Sequence, residues 1–597
     1  MKRLIIIPLI LTVFSLFAAP ISEKQAREIA SKFFAKGTTR SSSVVLKMEW
    51  AGSDLETAGT INTSTRSSAV SDDEEMENAL VYIYNRLDTK GFVVVAGDDK
   101  VKKPILAFSY DDNFDIENMP EGAKAILQGW CKQVAAARAD KTIKATTRTE
   151  DADIGNVVRK YETAKWDQGA PYNTYAPVYD GAASFSGCVA TSAGIVFRYF
   201  QWPTKGVGTI PSYTYTDKRG ISRTIPENVL GHTYDYSKML MNYKNGYTTE
   251  EGEMVGRLIY DIGTGAKMTF SPDGSGTTGP SALAALATHF GYSKSAKWLE
   301  HRAESEEEWA AMLQKNLDDY GPMMFGGGNG NAGHVFVLDG YTDKGYFSIN
   351  YGWSGGSNGY YLLPKIEFYQ GQGGGFYVKP DKDGTSEYKS NIFLWAGNLG
   401  SYIFRGIHTD ATEYRVGSSS KLYIAIVNRG ITEFNGQVGL AHCDTSGNIK
   451  EFVFTWNMES ANMGMYIIMG QLPIIHISQT IEQGDRLIAF HRASATQEWT
   501  RAEPGSDNAF HEILLCATPQ EVAKSLDISY EKSSKIFTFT SKHAIQYSVT
   551  APNGTVVVSD KVASFSTTTI DFSTFESGKY TLSFASGGEP YTLNFKL

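Results

Sequence analysis

Two widely separated segments constrain the fold of this chain more than any other feature. The first, Ser186-Gly-Cys-Val-Ala-Thr-Ser192, opens a stretch with apolar residues at helical spacing that ends at Pro203. Its apolar positions are Val189, Ala193, Val196, Phe197 and Phe200. Ser186 or Gly187 can cap this helix, which places Cys188 in its first turn. A helix N-terminus favours the thiolate, so the pattern predicts an activated cysteine.

The second segment, Gly333-His-Val-Phe-Val-Leu-Asp-Gly340, is an apolar run that begins beside a histidine and ends in a turn signal. The run Tyr346–Tyr351 is predicted to pair with it as a hairpin, from which Asn350 could accept a hydrogen bond from the imidazole of His334. Thiol, imidazole and amide together are the inventory of a Cys-His-Asn hydrolase. Taken alone, such a cysteine is more often a small buried hydrophobe, and such a histidine is usually structural.

Five motifs carry a family resemblance. They are Ser186–Pro203, Gly333–Gly340, Asn350–Gly356 and, more weakly, Trp166–Asn173 and Gly91–Asp98. On these motifs the chain resembles the streptopain family of secreted, papain-like bacterial cysteine proteases, over roughly residues 20 to 380. The resemblance implies that Cys188 is the nucleophile, that His334 is the general base and acid, and that Asn350 orients the histidine.

Two positions depart from the family pattern. In this family an indole after the asparagine shields the His–Asn bond or lines the site; here Tyr351 holds that position and Trp353 is retained. Papain-like enzymes place a glutamine six residues before the cysteine, and here that residue is Ala182, which cannot donate a hydrogen bond. The Cys188 N–H remains as an oxyanion donor, with Gln168 or glycine-rich backbone as possible substitutes for the glutamine.

One glycine-rich stretch is expected to border a substrate cleft. Gly274-Ser-Gly-Thr-Thr-Gly279 fits a dinucleotide-binding fingerprint, but no apolar strand precedes it and Pro280 opens the next helix, which argues against a nucleotide site. The related enzymes have a Gly/Ser loop here, so the resemblance places Gly276 in the cleft wall. It also implies that Met268 and Phe270 line a pocket for an apolar side chain just upstream of the scissile bond.

A second glycine-rich run, Gly326–Gly333, leads directly into the predicted catalytic histidine. Such a run has little bulk and free N–H groups, which suits the approach of an extended peptide backbone at Gly333. A plain mobile loop is equally consistent with this composition.

The first nineteen residues have the pattern of a signal peptide. Lys2 and Arg3 form a positive region, Leu4–Phe17 form an apolar core, and Ala18-Ala19 supply small residues at the cleavage point. A retained membrane anchor is the alternative, although the run is short for a span. No later run is long and apolar enough, so we expect export to a secreted, cell-surface or periplasmic location, with no stable membrane span after cleavage.

Residues 20–148 are interpreted as a propeptide. A capping box at Ser22–Gln25 predicts a helix, and the polar residues 51–78 predict a loop. Later elements are strands near Leu80–Tyr84 and Phe92–Val95, a helix near Ala123–Ala137, and a polar stretch from Asp140 to Asp153 in which cleavage is expected near Lys144–Thr149. The resemblance implies an inhibitory propeptide that keeps the active site unassembled until cleavage. An ordinary N-terminal domain or a linker is the alternative.

The sequence pattern of the chain changes after about residue 388. Short runs with strand character are separated by Gly, Asn, Asp and Ser turns, and the later runs alternate with a period of two. They are Leu422–Val427, Phe452–Trp456, Arg486–Phe490, Lys535–Thr540 and Tyr580–Phe584. We interpret residues 389–517 and 518–597 as two β-sandwich-like modules.

Cysteine content and charge exclude several classes of protein. Four cysteines in 597 residues, with no CxxC pair, exclude a disulfide-dense scaffold and a zinc ribbon. Cys443 and Cys516 either pair or remain buried thiols, and the adjacent His442-Cys443 has poor geometry for a metal. A net charge of −9 and the lack of a basic patch argue against a nucleic-acid binder. No metal or organic cofactor is expected.

These observations predict an α+β fold, in which a papain-like domain at 149–388 lies between an α+β propeptide and two all-β modules. The predicted function is a secreted cysteine endopeptidase, made as a zymogen and inhibited by its own propeptide. It would cleave protein or peptide substrates through a thioester acyl-enzyme and prefer an apolar residue upstream of the scissile bond. A noncatalytic surface binding or adhesion protein, and a Cys-His amidase or transglutaminase, remain as alternatives.

Overall fold

The structure is a computed structural model. It describes residues 20–35, 44–53, 79–144, 153–217, 219–301, 305–328, 333–399, 402–409, 413–416, 421–461, 466–469, 477–504, 511–516, 519–542, 545–563, 566–587 and 589–597. The predicted signal peptide, most of the predicted loop 51–78 and residues 145–149 of the predicted cleavage stretch lie outside these ranges. The chain divides into two compact units, Met1–Thr385 and Ser386–Leu597.

Seven α-helices lie within the described ranges. They are α1 (Glu23–Ala35), α2 (Glu121–Ala139), α3 (Cys188–Phe200), α4 (Thr249–Gly265), α5 (Gly279–His289), α6 (Glu306–Tyr320) and α7 (Pro519–Ser525). The predicted capping box of α1 is present: the Ser22 N–H donates to the Gln25 side chain over 3.0 Å, and the Gln25 N–H donates to the Ser22 hydroxyl over 3.4 Å. None of the described helices is both long enough and apolar enough to span a membrane.

The first unit is built on an antiparallel sheet. Its strands are β1 (Leu46–Gly52), β2 (Val81–Arg86), β3 (Phe92–Ala96), β4 (Ile105–Ser109), β5 (Val157–Lys160), β6 (Val178–Tyr179), β7 (Ala182–Ala183), β8 (Thr209–Ile210), β9 (Tyr213–Thr216), β10 (Ser222–Ile225), β11 (Asn228–Val229), β12 (Lys297–Glu300), β13 (Met323–Gly328), β14 (Gly333–Thr342), β15 (Phe347–Asn350), β16 (Gly359–Tyr361) and β17 (Gln370–Phe376). Eleven strands form one sheet in the order β1-β2-β3-β4-β16-β15-β14-β13-β17-β12, with β5 beside β14. The short pairs β6–β7, β8–β11 and β9–β10 lie outside it.

The segment interpreted as a propeptide shares this sheet with the rest of the unit. Strand β4 pairs with β16, where Phe108 lies opposite Tyr360. Alternate side chains of β2 and β3 face opposite sides, as the period of a strand requires. One side packs with α1 around Phe33, and the other packs in the core that contains Trp130 of α2. Residues 20–35, 44–53 and 79–144 are therefore docked on the sheet that carries His334.

Helix α3 is an interior helix. Every residue from Val189 to Phe197 is buried, as expected for a helix that is apolar around most of its circumference. It packs against β14, α4 and α5. The predicted hairpin is also present, with Val337 of β14 opposite Asn350 of β15. This packing brings the start of α3 close to the start of β14.

The second unit is built almost entirely from strands. They are β18 (Ile392–Leu394), β19 (Ala396–Leu399), β20 (Tyr402–Arg405), β21 (Ile407–Thr409), β22 (Glu413–Arg415), β23 (Leu422–Asn428), β24 (Phe434–Cys443), β25 (Ile449–Ala461), β26 (Tyr466–Met469), β27 (Arg486–Arg492), β28 (Thr500–Arg501), β29 (Glu503–Pro504), β30 (Glu512–Cys516), β31 (Leu526–Glu531), β32 (Ile536–Ser541), β33 (Ile545–Thr550), β34 (Val556–Val562), β35 (Ser566–Asp571), β36 (Lys579–Ala585) and β37 (Tyr591–Lys596). The predicted strands fall within these elements, except that Lys535 precedes β32 in a turn and has φ 55°.

Two apolar cores, each shared by two sheets, organise the second unit. The first joins sheet β21-β23-β18-β29 to sheet β22-β30-β27-β24-β25 through residues such as Ile424 and Leu440. The second joins sheet β31-β32-β35 to sheet β34-β33-β36-β37 through residues such as Phe539 and Leu582. Facing sheets around one core are the sandwich arrangement. The predicted α+β fold class is confirmed, while the boundaries at 148, 388 and 517 stay predictions.

None of the four cysteines, all of which lie in described ranges, forms a disulfide. Cys443 ends β24 and Cys516 ends β30, and β27 lies between these two strands in the sheet. Neighbouring strands are about 4.8 Å apart, so two strands separated by a third are too distant for a disulfide. The sequence left open whether Cys443 and Cys516 pair or remain buried thiols, and in the structure they are buried thiols.

Candidate active site

Cys188 is the first residue of α3 and is only partly buried. The preceding N-cap, Gly187, has φ 87°, a conformation that favours glycine. A Cβ at Gly187 would also lie 2.8 Å from the thioether sulfur of Met268, so a larger residue would not fit. Because Cys188 lies in the first turn, its backbone N–H has no acceptor within the helix and is oriented to donate to an external oxygen.

His334 is the second residue of β14 and is 6% exposed. Its Nε2 donates to the backbone carbonyl of Tyr351 over 3.1 Å, which leaves Nδ1 for the thiol side. A hydrogen bond joins the two elements: the Ser192 hydroxyl of α3 donates to the Val335 carbonyl of β14 over 3.0 Å. The histidine is thus held by its strand, by the β15 turn and by the cysteine's own helix.

The thiol of Cys188 and the imidazole of His334 lie together at the floor of one cleft, close enough to shift each other's pKa. Burial by itself raises the pKa of the Cys188 thiol, but its interactions with His334, the charge of the imidazole first among them, outweigh burial and lower it. Burial by itself lowers the pKa of His334, but its interactions with Cys188, the charge of the thiolate first among them, outweigh burial and raise it. The two opposite shifts favour a thiolate–imidazolium pair.

Asn350 lies at the end of β15, close to the histidine, but does not bond to it. Its amide nitrogen donates to the Thr163 hydroxyl over 3.0 Å and to the Ala164 carbonyl over 2.9 Å. Its amide oxygen accepts from the Gly352 N–H over 3.2 Å. The expected hydrogen bond from the imidazole to the Asn350 side chain is therefore replaced by the bond to the Tyr351 carbonyl, because this turn uses the amide to brace its own backbone.

The two aromatic residues of this turn face different surroundings. The ring of Trp353 meets the imidazole edge-on, with centroids 6.4 Å apart, and borders the cleft. The ring of Tyr351 is fully buried against Phe336, with centroids 5.2 Å apart. Trp353 is consequently the aromatic neighbour of the histidine, and Tyr351 contributes its carbonyl.

A cleft of about 920 Å³ opens over the Cys188–His334 pair. Of the residues predicted from the sequence, Gln168, Phe270, Gly276, Gly333 and Trp353 line this cleft. Met268 does not: its side chain is fully buried beneath Gly187, and its predicted place in the pocket wall is wrong. Ala182 also lies outside the lining, in the exposed strand β7.

Gln168 lines the cleft beside the start of α3. Its backbone carbonyl accepts from the Ser186 N–H over 3.0 Å, which anchors it beside the start of α3. Among the described residues, no hydrogen bond engages its side-chain amide, although the residue is only 8% exposed. A donor that faces the cleft without a partner is available to a ligand.

Two residues of α2, in the segment interpreted as a propeptide, reach the site. Glu121 borders the cleft, and its charge is one of the minor causes that raise the pKa of His334. Gly122 packs so closely on the histidine that an added Cβ would lie 2.8 Å from the imidazole Cδ2. Cys188 and His334 nevertheless both line the cleft, and how the segment would inhibit the site stays a prediction. In sequence, Glu121 is only an acidic residue in a helix's first turn, and nothing marks it for this position.

Comparison with known proteins agrees with this geometry. Residues 166–361 match the family model described as the Peptidase C10 family, and residues 18–134 match the model described as Spi protease inhibitor. Residues 166–361 form a streptopain-like cysteine protease domain. The family resemblance and the enzyme class predicted from the sequence, a cysteine endopeptidase, are thereby confirmed for this domain.

Three relatives illustrate how far the similarity extends. The thiol protease/hemagglutinin PrtT of Porphyromonas gingivalis is 31% identical over 60% of this chain and 40% of its own length. Streptopain of Streptococcus pyogenes is 28% identical over 49% of this chain and 76% of its own. The structure of Prevotella intermedia prointerpain A is 28% identical over 50% of this chain and 95% of its own, with a TM-score of 0.41. The chain thus spans less than half of PrtT, and the similarity to streptopain covers about half of this chain.

The described residues of the streptopain-like domain and of the other parts of the chain contain no group of three or more His, Cys, Asp or Glu side chains arranged to hold a metal ion. The chemistry available at the site is that of a thiolate, an imidazolium and backbone or amide N–H donors.

Proposed function

We propose that this chain is the zymogen of a secreted cysteine endopeptidase with Cys188 as its nucleophile. The single observation that carries the proposal is the placement of Cys188 and His334 together at the floor of an open cleft, where the pKa of the thiol is lowered and that of the imidazole is raised. The match to the protease and inhibitor family models supports the same conclusion.

In the proposed reaction the Cys188 thiolate attacks a peptide carbonyl carbon and forms a C–S bond. The N–H of Cys188 and the Gln168 amide donate to the oxygen as it gains negative charge. His334 gives its proton to the amide nitrogen as the C–N bond breaks, and the amine leaves. His334 then takes a proton from water, whose oxygen attacks the thioester and releases the acid and the thiolate.

Asn350 serves in this proposal as a positioning residue. Its three hydrogen bonds, to Thr163, Ala164 and Gly352, brace the turn that presents the Tyr351 carbonyl to the imidazole. The orienting role expected of the asparagine would thus be exercised through the backbone. Trp353 would shield the imidazole from water at the rim of the cleft.

The proposed substrates are proteins or peptides with an apolar residue just upstream of the scissile bond. Phe270 borders the cleft, and the glycines at 276 and 333 leave room for an extended backbone. The propeptide, proposed as residues 20–148, would inhibit by occupying the side of the site where Glu121 and Gly122 adjoin His334. The signal-peptide pattern of residues 1–19 supports an extracytoplasmic location.

The decisive experiment follows the intact mass of the chain from residue 20 onward, with wild type beside Cys188→Ala. We expect the wild type to shorten to a form that begins near residue 149 and the variant to stay whole. The processed wild type should hydrolyse casein and leave peptidoglycan unchanged, which separates an endopeptidase from a cell-wall amidase.

Cys443→Ala is the matched control, since this buried cysteine lies in the second unit and its thiol pKa is raised, to about 12, by burial. It should process like the wild type. If both the wild type and Cys188→Ala stay whole, and a thiol-directed epoxide adds no mass to either after tryptic nicking, the proposal is refuted.

A further inference from the structure

The short segment Met268–Phe270, here called the wall segment, runs between the start of α3 and the cleft. Met268 packs beneath Gly187, and Phe270 borders the cleft while its ring packs against Gly263 and Tyr260. One edge of the segment is held by its own loop. The Thr269 N–H donates to the Gly276 carbonyl over 2.9 Å, and the Gly276 N–H donates back to the Thr269 carbonyl over 3.2 Å.

The opposite edge of the wall segment is held by two tyrosines of one strand. The Tyr213 hydroxyl donates to the Met268 carbonyl over 2.7 Å, and the Tyr215 hydroxyl donates to the Phe270 carbonyl over 2.7 Å. Both tyrosines lie on the same face of β9, two residues apart, and the two carbonyls are also two residues apart. Alternate residues of a strand face the same side, so two tyrosines that are two residues apart can each bond to one of two carbonyls with the same spacing.

From this arrangement we propose that Tyr213 and Tyr215 are specificity-determining positioning residues of the protease. By fixing the wall segment, they set the width of the subsite that this segment borders for the apolar side chain upstream of the scissile bond. This inference rests on the proposed function and adds the residues that determine its selectivity.

The two hydroxyls are suited to this role because they stay protonated. Burial raises the pKa of the Tyr213 phenol and of the Tyr215 phenol, so both remain hydrogen-bond donors at neutral and mildly alkaline pH. Each bond is also short, which indicates a well-formed O–H···O contact.

The hairpin that carries the tyrosines is itself fixed to the loop behind the wall segment. Arg223 of β10 bonds to Asp217 over 3.0 Å and lies over the ring of Tyr179, 4.3 Å from its centroid. Arg219 bonds to Asp273 over 3.1 Å. Asp273 lies in the loop that follows the wall segment, three residues after Phe270. A rigid support transmits the position of the hairpin to the wall, which a mobile one would not do.

The test measures the selectivity of Tyr213→Phe, Tyr215→Phe and the double variant in the full chain after identical activation. Two peptide substrates differ only in the residue upstream of the scissile bond, leucine or alanine. Each lost bond should reduce the ratio of kcat/KM for leucine over alanine by about fivefold, chiefly through a higher KM for the leucine peptide. The alanine side chain does not reach the wall, so its hydrolysis should change less.

Thr214→Val is the matched control. Thr214 lies between the two tyrosines on the opposite face of β9, where its hydroxyl bonds to that of Thr224 over 3.0 Å. The variant loses one hydrogen bond of the same hairpin without touching the wall segment, and it should keep the wild-type ratio. The ratio is also independent of how much protein is folded, because the same active molecules hydrolyse both peptides.

A ratio that stays at the wild-type value in the double variant overturns the inference, even if both rates fall together. A wild type that hydrolyses neither peptide overturns the proposed function, and the inference with it, and is distinguishable from the first outcome. A Thr214→Val ratio as low as that of the tyrosine variants would also overturn it, since the hairpin would then act through its general stability.

Discussion

Two buried histidines in this chain have raised pKa values for different reasons. His334 in the first unit has one ring nitrogen on a carbonyl and the other beside a thiol that borders an open cleft. His442 in the second unit is fully enclosed, with Nε2 2.7 Å from Asp485 and Nδ1 3.4 Å from Glu451. In both cases burial by itself lowers the pKa of the imidazole, and its bonded partners outweigh burial.

The partners decide what each charged imidazole can do. Beside His334 the counter-charge is a sulfur that can attack a carbon, and space for a substrate lies above it. Around His442 the counter-charges are carboxylates, which Lys450 and the backbone N–H groups of Ser478 and Gln479 also engage. A histidine charged by its neighbours thus has a potentially nucleophilic partner in the first unit and only carboxylate partners in the second.

The largest expected effect comes from removing the reactive histidine. His334→Ala deprives Cys188 of both the proton acceptor and the charge that lowers its pKa, so kcat/KM should fall by about 10³-fold or more. His442→Ala should leave kcat/KM per active site within about twofold of the wild type, because it lies outside the protease unit. Steady-state assays normalised to the concentration of folded protein would measure this. An equal loss of kcat/KM in both variants would contradict the difference drawn between the two histidines.

The reciprocal effect is on stability. His442→Ala leaves the buried Asp485 carboxylate without its main partner, which typically costs about 3 kcal/mol or more. Hydrogen exchange of peptides from β24 and β25 should therefore accelerate markedly. His408→Ala is the control in the same unit, since burial lowers the pKa of that histidine and its ring stacks on Tyr423. If the two variants exchange alike, the charged cluster adds nothing to stability.

The third prediction concerns pH. Because the folded-state pKa of His442 is raised above its unfolded value, its contribution to stability is complete below about pH 6.5 and is lost as the pH rises through the raised pKa. The carboxylates that face His442 titrate in acid; hydrogen bonds lower the pKa of Glu451 to about 2 despite its burial. The pKa of the neighbouring Lys450 is raised. Protection of β24, corrected for intrinsic exchange, should decline above neutrality in the wild type but not in His442→Gln. A flat wild-type profile would argue against a charged His442.

The sequence predicts those features of the site that depend on local pattern. The apolar stripe after Cys188 and the paired runs around Val337 and Asn350 correctly place the thiol at a helix start and the imidazole on a hairpin. The turn signals and alternation likewise predict the strands of the second unit. Such features follow from periodicity within a single element, which neighbouring residues determine.

Features that depend on distant partners could not be predicted in this way. The amide of Asn350 bonds to Thr163, 187 residues away, so its commitment to the turn is invisible in the motif. Met268 is drawn under Gly187 by the shape of the helix cap rather than directed into the pocket. His442 gains its charge from Asp485, 43 residues further along. In each case the side chain's type is evident from the sequence, but its neighbours depend on the tertiary fold.

The smallest expected effect separates the two histidines within one spectrum. Glu121→Gln removes one of the minor causes that raise the pKa of His334, so this pKa should decrease in the intact chain while that of His442 stays unchanged. With only ten histidines, a titration followed by NMR of ring-labelled histidine can resolve both, assigned by His334→Ala and His442→Ala. Glu117→Gln, an exposed site outside the cleft lining, is the control and should shift neither. After processing, wild type and Glu121→Gln should titrate identically, because residue 121 would be removed with the propeptide; a difference that persisted would mean that the carboxylate does not act on the imidazole directly.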